Sequence, residues 1–303
     1  MMKKIKIFLL ILFLSFIEYL YSYTLYSEKA SINGDTIFFF KNVDFKSNEY
    51  NLITDSSYIL KKDSLIYFPK SFLLKRDDSI KIFAKSGIYF IKEKKFLINF
   101  QKTEKEKRFL IESETLKIFL DDSLLVFTGT PLFENVQENF KILGNHIEYF
   151  KNTEKTFIKG NSILQKNDSS YTIKSQNLLI DDKDSMNIFS YDVEIFNDSF
   201  KIKSDSVIYD RKNSFFKTIK RGEIYSNRSF FQGDTFVFYF KNDSLQRMVG
   251  KNNIVFENES DNIIRIKCDS VDGSFKSSKV DILNFFRIKE SELLKKEQND
   301  TQM

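Results

Sequence analysis

The chain has 303 residues, with 47 Lys and Arg against 42 Asp and Glu for a net charge of +5, and it holds 34 Phe, 14 Tyr, no Trp, 9 Gly, 2 Pro and one cysteine. So few Gly and Pro exclude a collagen-like or Pro/Gly-rich disordered chain, and well-mixed charge gives none of the basic stripes that argue for nucleic acid. The lone Cys268 excludes an intramolecular disulfide and a Cys-based metal site, and reads as a small buried residue.

Residues 1–22 read as a secretory signal. Lys3, Lys4 and Lys6 make the positive start, residues 7–17 an apolar run broken by Ser15, and Leu20, Tyr21 and Ser22 a usable cleavage site. The run falls short of the roughly 20 residues that cross a bilayer. Export with cleavage, to the periplasm, is the expectation. The mature chain then carries +3, and no cysteine follows the apolar run to mark a lipoprotein. Inner-membrane anchoring through residues 7–23 is the alternative.

Residues 36–45 read as the first strand. Thereafter one pattern repeats, and residues 201–209 show it best. Ile202 and Val207 are five apart and flank Ser204 and Asp205. Side chains of a strand alternate faces with period two. An odd offset therefore separates the two apolar residues unless the chain turns a corner or carries a bulge between them. A small residue followed by a short polar one suits that corner. Ile82 and Gly87, Ile111 and Leu116, Ile142 and Ile147, Ile173 and Leu178, Phe231 and Phe236, and Ile266 and Val271 repeat the arrangement. A poorer copy lies at Thr54 and Asp55. The second corner residues fall at 55, 85, 114, 145, 176, 205, 234 and 269, at intervals of 30, 29, 31, 31, 29, 29 and 35. A sustained period near thirty marks a repeat architecture.

Each unit reads as two strands joined by a polar turn. Leu116 and Ile118, Ile147 and Tyr149, Leu178 and Ile180, Val207 and Tyr209, and Phe236 and Phe238 form the apolar face after each corner. The second strand often holds Gly or Asn near its middle, as at Asn42, Gly129, Gly160 and Gly222. That signals a bulge or a close backbone approach. The first helical pattern appears at residues 289–296, expected as a short helix opening a polar tail over 289–303. One repeat domain is expected over residues 23–288. The fold class is all-β, a stack of antiparallel hairpins in which neighbours complete one another's core. Both ends of such a stack are open edges where another sheet could pair.

The corner Ser204, Asp205, Ser206, Val207, Ile208, Tyr209, its copies at residues 84–89 and 233–239, and the export signal resemble the OstA-like lipopolysaccharide-transport proteins: the periplasmic LptA and LptC and the N-terminal domain of LptD. The resemblance covers about residues 36–285, and it rests on the register of the copies more than on any one of them. It implies a folded, twisted β-jellyroll, shaped like a half-open taco, whose groove holds lipid acyl chains. It also implies members joined end to end by strand pairing. The implied partners are lipopolysaccharide or a related glycolipid and other Lpt-type jellyrolls at either end, with edge pairing open to homo-oligomers. The groove would be lined by Ile111, Leu116, Ile118, Ile142, Ile147, Tyr149, Ile173, Leu178, Ile180, Ile202, Val207, Tyr209, Phe231, Phe236 and Phe238. The chain is longer than the simplest members and lacks sequence for an outer-membrane barrel.

The competing readings are a closed core made by the same rows, and an exported self-assembling repeat protein without a lipid. Catalysis is not expected, and no cofactor is called for. His146 is the single histidine and reads as an outward surface residue. The Ser and Asp pairs have no His to activate a nucleophile. Asp77 with Asp78, Asp121 with Asp122 and Asp181 with Asp182 sit at turns without the spacing of a calcium loop.

Overall fold

The structure, a computed structural model, describes residues 23–295 apart from 48, 77–79, 106–108, 138, 167–170, 198–199, 227, 242–243, 260–261 and 277–278. The expected signal at residues 1–22 lies outside the described residues, as do Asp77 and Asp78. Among the described residues there is no α-helix, only strands and one 3-10 turn at Lys151–Thr153. None of them forms a helix long and apolar enough to cross a membrane.

Contacts gather into two compact units, Met1–Phe127 and Thr128–Met303. The first holds β1 (Thr24–Tyr26), β2 (Lys29–Asn33), β3 (Thr36–Lys46), β4 (Asn51–Leu60), β5 (Leu65–Phe68), β6 (Phe72–Arg76), β7 (Ile80–Phe90), β8 (Lys95–Lys105), β9 (Phe109–Glu112) and β10 (Thr115–Phe119), and β11 (Leu124–Thr128) ends at the boundary. The second holds β12 (Leu132–Asn135), β13 (Phe140–Leu143), β14 (His146–Phe150), β15 (Lys155–Lys166), β16 (Thr172–Asp181), β17 (Met186–Phe196), β18 (Lys201–Asp210), β19 (Phe215–Ser226), β20 (Ser229–Gly233), β21 (Thr235–Lys241), β22 (Ser244–Glu259), β23 (Asn262–Lys276) and β24 (Lys279–Lys295).

In both units the strands run as an antiparallel meander, and the long strands bend at mid-length. The bend is a bulge with a repeated form. Asp205 on β18 stands alone opposite Tyr191 and Asp192 of β17 on one side and Lys220 and Arg221 of β19 on the other. Gln176 faces Gly160 and Asn161, Asp55 faces Lys41 and Asn42, and Asp269 faces Asn252 and Asn253. Both members of every such pair have positive φ. Two residues against one bend the bulged strand and increase its twist. The strand opposite loses one residue of phase. Hence Ile202 and Val207, five apart, are both buried, and so is Ser204 between them, while Asp205 is exposed. The corner forecast from the odd offset is real.

The hydroxyl at the corner has a task that composition did not reveal. Ser204 Oγ donates to the carbonyl of Ser206 at 2.9 Å, Ser175 Oγ to that of Asn177 at 2.9 Å, and Ser113 Oγ to that of Thr115 at 3.1 Å. Cys268 Sγ makes the same contact with the carbonyl of Ser270 at 3.3 Å. At each interrupted ladder a corner carbonyl thus has a side-chain donor. A donor on a one-carbon stem reaches it; a longer side chain would overshoot.

The glycine signal holds at Gly160, where φ is +75°, and at Gly129, where φ is +82° and β11 and β12 are separated. At Gly222 it takes the form of a close approach. The left-handed pair beside it is Lys220 and Arg221, and Gly222 leaves room for a ring: a Cβ on it would lie 2.6 Å from Phe236 Cδ2. The expected helix over residues 289–296 is corrected. Residues 289–295 belong to β24, paired along β23 from Asn262 with Lys295 to Lys276 with Lys279. Ladder bonds along an existing strand outweigh the weak helical preference of seven residues.

Candidate functional site

Side chains directly opposite on antiparallel strands lie on one face. Registers therefore trace rows across the second unit. One row is Ile142, Leu164, Ile173, Ile195, Ile202, Ile224, Phe231, Phe256 and Ile266. On the other side of the bend run Ile147, Ile158, Leu178, Phe189, Val207 and Thr218. Beside them run Tyr149, Thr156, Ile180, Asn187, Tyr209, Phe216, Phe238 and Met248. The first unit repeats this with Leu25, Phe45, Leu52, Leu74, Ile82, Thr103 and Ile111 on one leg. Its other leg carries Ile32, Ile37, Ile59, Ile66, Tyr89, Phe96 and Ile118, with Phe68, Gly87, Ile98 and Leu116 in the row alongside.

Twelve of the fifteen residues expected on the inner face are buried: Leu116, Ile118, Ile142, Ile147, Ile173, Leu178, Ile180, Ile202, Val207, Phe231, Phe236 and Phe238. Ile111, Tyr149 and Tyr209 are half-buried. Tyr209 lies at the turn end of its strand, stacked on Phe216 with ring centroids 4.2 Å apart. The legs face each other inside each unit. Tyr171, at the loop end, meets Phe216, at the turn end, edge to face at 5.8 Å, and Phe45 meets Phe96 at 6.0 Å. Each buried side chain of this size contributes roughly 1.5–3 kcal/mol.

Three glycines crowd the ring of Phe236. Cβ atoms on Gly222, Gly233 and Gly250 would come within 2.6, 3.2 and 2.7 Å of its ring. Thr218 supplies polar closure there: its Oγ1 accepts from Phe236 N at 2.8 Å. Two polar atoms within the rows have no partner, Thr103 Oγ1 and Asn187 Oδ1. Sequence reasoning missed Phe189, Ile195, Ile224 and Phe256. They sit on the returning strands, where the bulge hides the phase of the pattern.

At the ends of the meander the inner rows come into the open. Ile32 on β2 pairs with buried Ile37 yet is 66% exposed. Ile288 on β24 pairs with buried Cys268 and is 55% exposed, and Leu293 is 65% exposed opposite Ile264. The inner face is thus covered in the middle strands and partly bare at the terminal ones, where Ile288 and Leu293 are exposed while Phe285 of β24 still packs on Phe256 at 5.2 Å. β24, 17 residues long, pairs with β23, and its far edge meets no strand among the described residues.

Other features lie outside the rows. A recess of about 750 Å³ near the loop ends is lined by outward residues such as Phe196, Lys201, Tyr225 and Phe230. His146 is on the outer face, its Nε2 2.8 Å from Glu148 Oε1; that carboxylate also accepts from Lys159 at 3.0 Å, and these partners hold it below the usual carboxylate range against the opposing effect of burial. Burial pushes the Cys268 thiol up, away from the reactive thiolate. Among the described residues no three His, Cys, Asp or Glu gather as a metal site.

No family model matches the chain, and no curated protein matches it. Among solved structures it is similar to the crystal structure of LptH, the LptA homologous periplasmic component of the lipopolysaccharide transport device from Pseudomonas aeruginosa. The identity is 13%, the match covers 41% of this chain and 93% of that one, and the TM-score is 0.33, too low to carry an argument.

Proposed function

We propose that this chain is an exported, non-enzymatic lipid-binding protein that carries the acyl chains of lipopolysaccharide or a related glycolipid along its inner apolar rows, toward the outer membrane. Its terminal strands would pair with other jellyrolls to continue the path. The observation that supports this most directly is the partly bare inner face at β24, where Ile288 and Leu293 lie exposed beside an unpaired edge. An exposed apolar strand edge is costly for a protein to leave unguarded, and strand addition is a common way to use one. Each lipid methylene withdrawn from water is worth about 0.8 kcal/mol, so binding needs no polar chemistry. The lining would be the fifteen residues from Ile111 to Phe238 named above.

The test is photo-crosslinking with the reactive side chain at position 178, 209 or 288 in cells that make lipopolysaccharide. An adduct at 288 and at one inner position is expected. No adduct at any of them removes the proposal. A second reading is an exported self-assembling repeat without lipid. It is favoured by the nearly complete burial of the middle rows against one another. Filaments that purify free of lipid would support it.

A further inference from the structure

The recess near the loop ends of the second unit belongs neither to the inner rows nor to a strand edge. Its volume of about 750 Å³ is that of a ligand cleft, about 300–1,000 Å³. One outward row crosses it: Phe196, Lys201, Tyr225, Phe230 and Glu257 stand opposite one another in register. Phe196 and Phe230 are half-exposed and Tyr225 is 40% exposed. The rings of Tyr225 and Phe230 meet at 5.1 Å, and Lys174 Nζ lies 5.2 Å from the centre of the Phe196 ring. The charges around these rings are unequally served. Glu194 holds Lys201 at 2.8 Å, Glu257 holds Arg265 at 2.7 Å, and Glu259 is engaged as well. Lys174 and Arg228 are exposed and have no carboxylate at ion-pair distance among the described residues; Lys174 acts on Glu194 only as the weakest of three cations. Asn258 Nδ2 donates to Ser229 Oγ at 2.8 Å, which leaves the Asn258 carbonyl oxygen and the Ser229 proton for another group.

We propose that this recess binds an acidic sugar, a short saccharide bearing phosphate or carboxylate. Three demands select that class. The unpaired cations Lys174 and Arg228 require negative charge, and the Arg fork takes phosphate or carboxylate through two bonds. The carboxylates of the lining only accept, so the ligand must bring donors too, and a polyol brings many. The exposed rings require an apolar face, which the C–H side of a sugar ring supplies while its hydroxyls reach outward to Ser229 and Asn258. A simple anion meets only the first demand and a fatty chain only the third. A nucleotide brings charge and a ring but few donors for the carboxylates. A peptide adds to a sheet through backbone bonds, and the strand backbones beneath the recess are already paired with one another. Lys174 on β16 and Arg228 beyond β19 lie at least three strands apart, about 14 Å at the usual strand spacing, so the site suits a short oligosaccharide more than a single ring. It lies on the outer face and needs no lipid in the inner rows. The same sugar chemistry occurs in the head of a glycolipid and in a free acidic polysaccharide.

The test is isothermal titration of the chain from residue 23 onward with trigalacturonate, neutral maltotriose, inorganic phosphate and the lipid-free phosphorylated oligosaccharide released from lipopolysaccharide. One or both acidic saccharides are expected to bind, at least about tenfold tighter than maltotriose or phosphate. Capture of the released oligosaccharide assigns the site to a glycolipid head, and capture of trigalacturonate alone assigns it to a free polysaccharide. Arg228→Ala is expected to weaken binding about tenfold, an effect that shrinks as salt rises, with Arg228→Lys retaining part of the affinity. Tyr225→Ala is expected to weaken it roughly two- to tenfold at every salt concentration. Both positions face outward, so an unchanged melting temperature shows that the fold is intact. Unchanged lipid crosslinking at position 178 separates this site from the inner rows. No binding of either acidic saccharide, maltotriose or phosphate bound as tightly as they are, binding indifferent to Arg228→Ala, or tighter capture of an acidic peptide would each overturn the proposal.

Discussion

Phe236 offers the sharpest test of how the inner rows are built. Its ring is fully buried and three glycines on neighbouring strands approach it. Phe236→Ala removes the ring and leaves a hole that backbone alone surrounds on several sides. Changes of this kind cost about 3–5 kcal/mol. In a unit of this size each kcal/mol moves the melting point by about 2–4 °C, so a fall of roughly 6–20 °C is expected. Gly250→Ala is the complementary change. Its Cβ would lie 2.7 Å from Phe236 Cε1, 2.8 Å from Val271 Cγ1 and 3.0 Å from Ile254 Cδ1. Overpacking there costs about 1–3 kcal/mol. The two changes must couple, because the second intrudes on space the first vacates. Gly250→Ala is therefore expected to cost markedly less in the Phe236→Ala background. The assay is urea denaturation of the four chains of the cycle. Equal penalties for Gly250→Ala in both backgrounds, or a loss under about 1 kcal/mol for Phe236→Ala, would show that the ring does not fill this space.

Further expectations concern corners, acid and the edge. Ser204→Ala removes the hydroxyl that serves the Ser206 carbonyl, and the loss should be about 1 kcal/mol by urea denaturation. Ser206→Ala, on the outer side of the same corner, should cost less than half as much. Asp181 accepts from the backbone of Asp184 and pairs with Lys155, and Asp210 accepts from the side chain and backbone of Asn213; both carboxyls are held below their usual value. A carboxyl lowered in the fold stabilises it above the unfolded value of about 3.9 and loses that contribution as pH falls through the folded value. Thermal melts should decline below about pH 4, less steeply in a chain with Asp181→Asn and Asp210→Asn. A curve unchanged by those substitutions would place the acid sensitivity elsewhere. Ile288→Asp should leave the melting point within about 2 °C, since exposed sites seldom matter more, while weakening the lipid adduct formed by a crosslinker at position 209. A large drop in stability would mean that Ile288 is covered.

The sequence alone determined the period and the corners. The reason is local. Strand alternation has period two, so a five-residue offset between Ile202 and Val207 forces a slip at Ser204 and Asp205 wherever both residues are buried. Tertiary structure decided what locality could not. The partner strand of each corner bends through left-handed pairs: Asn42 and Gly160 are the Asn and Gly that signal a bulge, but Tyr191 with Asp192 and Lys220 with Arg221 carry neither and are recognisable only from the ladder opposite. The fate of residues 289–295 was likewise settled by the edge of β23, which offers more hydrogen bonds than a short isolated helix. Ile208 beside Val207 is apolar too, and alternation cannot say which of two greasy faces looks inward. Only the packing of Val207 against the opposite leg, with Ile208 left on the outer row, makes that choice, because burial is a property of what lies across the sheet and not of the strand itself.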